Sequence, residues 1–128
     1  MHVPLGPRQL EPAVSKLARL IAGEEGYGIP GKIPTTHNNP GDLRHSPHST
    51  HAPGHPDDIG CIDTVADGWA DLERQLALYA SRGLTLRQMI VDYYAPNVEN
   101  NSDAYLKFVC DGLGMNADTP VSVALTIV

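Results

Sequence analysis

The stretch IAGEEGYGIPG, residues 21–31, runs an apolar helical face into two carboxylates and then into a breaker. Leu10, Val14, Leu17 and Ile21 recur at spacings of 4, 3 and 4, one face of an amphipathic helix with Pro12 suited to its first turn. Gly26 and Gly28 offer an exit and Pro30 forbids continuation, so the helix is expected to end near Glu25. Its last turn then holds Glu24 and Glu25, where the partial negative charge of a helix end disfavours a carboxylate. Glu25 lies four residues from Ile21 and continues the packing face. Glu24 is rotated from it by about 100° and looks outward. A carboxyl group half buried at such a place has its pKa raised and can donate a proton near neutrality. Two solvated surface glutamates are the plain alternative.

Downstream, proline and glycine crowd residues 26–60. GIPGKIP and NNPGDL are turn-forming, and RHSPHSTHAPGHPDD reads as a mobile surface loop. So long an irregular segment inside a small domain is usually functional or flexible. IGCIDT (59–64) suits a short strand, with Leu43 near another, and so a small hairpin-like sheet. Beyond it the periodicity is helical. Asp67 can cap a helix through Trp69, Leu72, Leu76 and Tyr79 that ends at Gly83. Thr85 and Gln88 match a capping box and Leu84 with Met89 a hydrophobic staple, opening a helix that stops before Pro96. A further helix is expected from a Ser102 cap through Tyr105, Phe108, Val109 and Leu113 to Gly114, and a last short one after Thr119-Pro120. The fold class expected is mainly α, with one irregular or β-containing lobe at about residues 26–64.

The chain has 128 residues, 41% hydrophobic and 19% charged, which fits one domain, 1–128, with a single core. Its formal charge of −6 and the lack of a basic stripe argue against nucleic-acid binding. No apolar run reaches the roughly 18 residues of a membrane span. MHVPLGPRQL carries neither a basic n-region nor an apolar h-region, so no signal peptide is expected. Cys61 and Cys110 lack metal-site spacing and read as two buried free thiols, Cys110 in the core. No serine-hydrolase elbow, P-loop or dinucleotide fingerprint occurs.

The ordered set IAGEEGYGIPG, NNPGDL, IDTVADGWADLERQLALY, GLTLRQMIVDYYAP and AYLKFVCDGLGM resembles the lysozyme-like domains of lytic transglycosylases and phage-borne peptidoglycan-degrading enzymes. The resemblance covers roughly residues 10–120. It implies a lysozyme-like α+β domain that cleaves the β-1,4 glycosidic bond of peptidoglycan glycan strands, without a cofactor or metal. It implies Glu25 as the catalytic acid at the end of the first helix. It also implies Asn38, Asn39, Asp63, Thr64 and Tyr105 as residues that bind the sugar or orient the acid. Such enzymes work with one glutamate, the substrate's acetamido group stabilising the cationic centre. A muramidase-type hydrolase would need a second carboxylate, of which Asp42, Asp63 and Asp67 are the candidates. Asp42 reads more simply as a turn residue and Asp67 as a cap, leaving Asp63. A catalytically inactive structural or glycan-binding module, such as a virion component, is the other alternative, since a −6 chain gains no steering toward anionic walls.

One segment departs from that pattern. His45, His48, His51 and His55, with His37 before them, are spaced as metal ligands only on a helix, which Pro47, Pro53, Gly54 and Pro56 oppose. A polar, flexible insertion is expected there, with His37 a possible substrate contact. Trp69 is expected in the core, and the Tyr93-Tyr94 pair offers a surface for stacking on sugars.

Overall fold

The computed structural model describes residues 14–51, 59–94 and 102–125. The first helix, α1, spans Lys16–Glu25. It starts later than the periodicity suggests, because the Ser15 hydroxyl accepts the Ala18 N–H at 3.1 Å and caps it there. Ser15 also donates to Glu73 Oε1 at 2.6 Å, which ties this end to the longest helix. Val14 is buried just ahead of the helix, while Leu10 and Pro12 lie outside the described residues. At the other end Gly26 takes the left-handed conformation, φ 94°, and α1 stops at Glu25 as expected.

The lobe follows. It contains a single helical turn, α2 (Ile33–Thr36), and a two-stranded antiparallel sheet in which β1 (Ser49–Thr50) pairs with β2 (Cys61–Ile62). The register sets Ser49 opposite Ile62 and Thr50 opposite Cys61. Leu43 is not in a strand; its N–H and C=O are taken up by the side chain of Asn39. The residues before β1 are not a loose insertion either. Asp71, buried on the longest helix, accepts the Ser46 hydroxyl at 2.5 Å, the His48 N–H at 2.9 Å and His48 Nδ1 at 2.6 Å. His55 lies outside the described residues.

The helical body is completed by α3 (Val65–Ser81), α4 (Leu86–Met89), α5 (Ser102–Leu113) and α6 (Val121–Ala124). Thr64, not Asp67, caps α3: its hydroxyl accepts the Asp67 N–H, placing Asp67 in the first turn instead. The capping box at Thr85 and Gln88 is complete, but α4 lasts only one turn and widens into a π-helical turn at Ile90–Tyr94. The residues leading to Pro96 lie outside the described ones. Ser102 is the first residue of α5, Phe108 faces outward at 44% exposure, and Pro120 rather than Thr119 stands before α6.

One continuous core joins these helices. Leu17 and Ile21 of α1, Trp69, Leu72 and Leu76 of α3, Leu86, Met89 and Ile90 around α4, and Val109 of α5 are all buried in it. Each such aliphatic side chain contributes about 1.5–3 kcal/mol of burial. The lobe sits against this body along α3. A β-carbon at Gly68 would collide with the Asn38 carbonyl oxygen, so glycine is what allows the 38–40 backbone to lie on the helix. Both cysteines are free and half buried, more open than expected. Among the described residues, no helix is long and apolar enough to cross a membrane.

Candidate active site

The end of α1 brings Glu25 to the start of α5, where the Tyr105 hydroxyl donates to Glu25 Oε2 at 2.7 Å. The two residues are 80 apart in the chain, so the bond exists only because α1 packs along α5. From the lobe, the Asp42 carboxyl acts on the same glutamate as a neighbouring acidic group. From the π-helical turn, the Tyr94 ring lies 6.4 Å from the Tyr105 ring, and its hydroxyl is buried without a hydrogen-bond partner among the described residues. Four elements thus converge on one carboxyl group.

The electrostatics follow from this crowding. The Glu25 carboxyl is pushed up to about 7, with burial as the largest cause. The Tyr105 hydrogen bond favours the carboxylate and works against the rise; the charges of Asp42 and Glu24, and the Asp42 hydrogen bond, work with it. The negative end of α1 acts in the same direction. Burial, then the charge of Glu25, keeps the Tyr105 phenol well above its ordinary range, so it remains a donor. Tyr94 is held up likewise, by burial first and then by its charged neighbours, Glu25 and Asp42 among them. The arrangement can therefore present a protonated acid at neutral pH, oriented by a phenol.

The other expected site residues have the following partners. Asn39 is fully buried, and its amide is spent on backbone: Nδ2 donates to Leu43 O at 2.8 Å and Gly60 O at 2.9 Å, while Oδ1 accepts the Leu43 N–H at 3.0 Å. It shapes the loop and has nothing left to offer a ligand. Asn38 is half buried with φ 53°, and contributes the carbonyl that rests on Gly68. Thr64 is committed to capping α3, and Asp63 is exposed and absent from the charges that act on Glu25. His37 is buried, its Nδ1 3.2 Å from Ile59 O, which fastens the lobe. Trp69 is in the core as expected, edge-on to Tyr27 with ring centres 5.4 Å apart.

Sequence reasoning passed over Asp42 as a turn residue and read Tyr94 only as half of a stacking pair. The turn reading is itself correct: Asp42 has φ 52°, a conformation that Asp and Asn tolerate better than other side chains. The approach to Glu25 has no local signal, because it is made by the packing of the lobe. Tyr93 is half exposed against Tyr79, whereas Tyr94 turns inward. Among the described residues, no group of three His, Cys, Asp or Glu side chains is arranged to hold a metal ion. Compared with known protein families, characterised proteins and solved structures, the chain matches none.

Proposed function

We propose that this chain is a lysozyme-like domain that cleaves the β-1,4 glycosidic bond of peptidoglycan by lytic transglycosylase chemistry, with Glu25 as acid and then base. The observation that carries the reading is a half-buried carboxyl group, its pKa raised to about 7, whose Oε2 is fixed by the Tyr105 hydroxyl. Glu25 gives its proton to the leaving glycosidic oxygen as the C1–O bond breaks. The acetamido oxygen of the same sugar shields the cationic C1. Glu25, now a carboxylate, removes the proton of the 6-hydroxyl, whose oxygen bonds to C1 and leaves a 1,6-anhydro end.

The position of Asp42 favours this route over a two-carboxylate hydrolase. Paired glycosidase carboxyls stand about 5–5.5 Å apart when one is the nucleophile and about 6.5–9.5 Å apart when one activates water. Asp42 acts on Glu25 as a direct neighbour, by charge and by hydrogen bonding that raise its pKa, and not as a carboxylate set across a sugar ring from it. Asp63, the sequence-based candidate for the second carboxylate, is not among the groups whose charges act on Glu25.

Digestion of purified peptidoglycan with the wild type and Glu25→Gln, followed by mass spectrometry, tests this. Fragments ending in 1,6-anhydromuramic acid are expected, with release reduced about 10²–10⁴-fold in the variant. Reducing ends, also lost in the variant, would make the chain a hydrolase. No release from any wall type would leave a glycan-binding or structural module.

A further inference from the structure

We propose that His48 and Asp67 form a divalent-cation site of the zinc class, at which the loop before β1 and the first turn of α3 hold one ion between them. Nothing in it depends on the glycosidase reading. Two carboxylates on α3 set the geometry. Asp67 and Asp71 stand four residues apart, one turn along the same face, and His48 meets both. Asp71 is buried behind the imidazole: its Oδ1 accepts from His48 Nδ1 at 2.6 Å, while Oδ2 accepts the Ser46 hydroxyl and the His48 N–H. An ionised carboxylate only accepts, so Nδ1 carries the hydrogen and the lone pair of the neutral ring is on Nε2. Asp67 stands in front. Its Oδ1 is 3.7 Å from Nε2, and the His48 and Asp67 side chains are 48% and 40% exposed.

That separation exceeds the roughly 2.7–3.2 Å of an N–H···O hydrogen bond. A tetrahedral zinc ion, about 2.0–2.1 Å from an imidazole nitrogen and about 2.0–2.2 Å from a carboxylate oxygen, holds such donors roughly 3.4 Å apart. A closure of about 0.3 Å, small for a half-exposed aspartate, seats the ion. The exposure leaves room for water in the remaining positions, so the site is an open one with two protein ligands. Asp71 supplies what so sparse a site most needs. A carboxylate behind a ligating histidine fixes the tautomer and orientation of the ring and raises its basicity. One nitrogen and one oxygen donor suit zinc and its neighbours better than calcium or magnesium, which take oxygen. The positive end of α3 opposes a cation with about half a charge, against two full carboxylate charges. His45 and His51, exposed with ring centres 4.9 Å apart, are the rival pair. Neither has a carboxylate bonded behind it among the described residues, so neither ring is oriented as His48 is.

Calorimetric titration of the chelator-stripped full chain with zinc chloride, together with long-range proton–nitrogen NMR of the histidine rings, is the test. The wild type should bind zinc with a shift of the His48 Nε2 resonance, while Nδ1 stays protonated. His48→Asn keeps an N–H for Asp71 and removes Nε2. Asp67→Asn keeps the backbone N–H that Thr64 accepts and removes the charge. Each should weaken binding about tenfold or more, and Asp71→Asn by about 10–100-fold through the ring it orients. Wild-type affinity in both His48→Asn and Asp67→Asn would overturn the proposal. So would loss of binding in His45→Ala or His51→Ala with His48 Nε2 unmoved, which would give the ion to the exposed pair. No heat and no ring shift at millimolar zinc would overturn it too, leaving Asp71 and His48 a hydrogen-bonded clamp. Where a variant fails to fold, the wild-type Nε2 shift decides alone.

Discussion

The helical body and the 26–64 lobe are built by different physics. The body is held by non-directional apolar packing: Leu17, Ile21, Leu72, Leu76 and Met89 have no exposed surface. The lobe has few such residues and is held by polar side chains that seize backbone. Asn39 clamps Leu43 and Gly60, His37 reaches Ile59, and Asp71 gathers Ser46 and His48. Packing tolerates changes of pH and punishes changes of volume. A polar clamp does the reverse. Glu25 and Asp42 sit where the two kinds of construction meet, one carboxyl from each.

The largest expected effect tests the body. Leu76→Ala should cost about 2–5 kcal/mol in chemical denaturation, nearly the same at pH 5 and pH 8. A strong pH dependence of that cost would mean that body and lobe do not differ as described.

A gain of stability comes next, at the seam. The Glu25 carboxyl is raised from 4.5 to about 7 on folding, so the folded chain holds a proton that the unfolded chain gives up between those values. Stability therefore declines as pH rises through that window. The shift corresponds to a cost of about 3 kcal/mol above pH 7. Glu25→Gln should recover much of it, and the wild-type and variant melting curves should converge below pH 4. A variant no more stable than wild type at pH 8 would show that the acid is not strained by its burial.

The smallest effect tests the lobe. The bond to Asp71 raises the pKa of His48, with the Asp71 and Asp67 charges adding to it. Its contribution is complete below the unfolded histidine value, about 6.5, and is lost as pH rises through the higher folded one. Burial pushes the Asp71 carboxyl up, but the bonds from Ser46 and from the backbone and ring of His48 overcome it and hold it low. Its contribution is present above the ordinary aspartate range and is lost as pH falls through the lowered value. Amide exchange in residues 46–50 should therefore be slowest in mildly acid solution and quicken above neutrality, while the body amides show no such change beyond the intrinsic rate. His48→Asn should flatten that excess.

The same contrast explains what could be read from the sequence. Helix periodicity, the Gly26 exit, the Thr85 capping box and the candidacy of Glu25 follow from neighbours within a turn or two. Tyr105 came only through resemblance, since nothing local ties it to a residue 80 positions away. In the lobe, the same residue types that signal turns also make the clamps. NNPGDL announces a turn without revealing that Asn39 closes it or that Asp42 faces the acid. The histidines read as a loose insertion because Asp71, which holds His48, sits inside a helix whose pattern is complete without it.

The π-helical turn at Ile90–Tyr94 has a consequence in the language of insertions and deletions. Such a turn accommodates one residue more than an α-helical register would, and is frequent at functional sites. Removing one residue from it would restore the α register and leave Tyr94 facing nearly as it does, because the wide turn already absorbs the extra residue. A residue added just before Tyr94 finds no such slack and would swing it around the helix by about 100°. The hydroxyl beside Gly41 would then leave this wall of the site with every side chain around Glu25 still present.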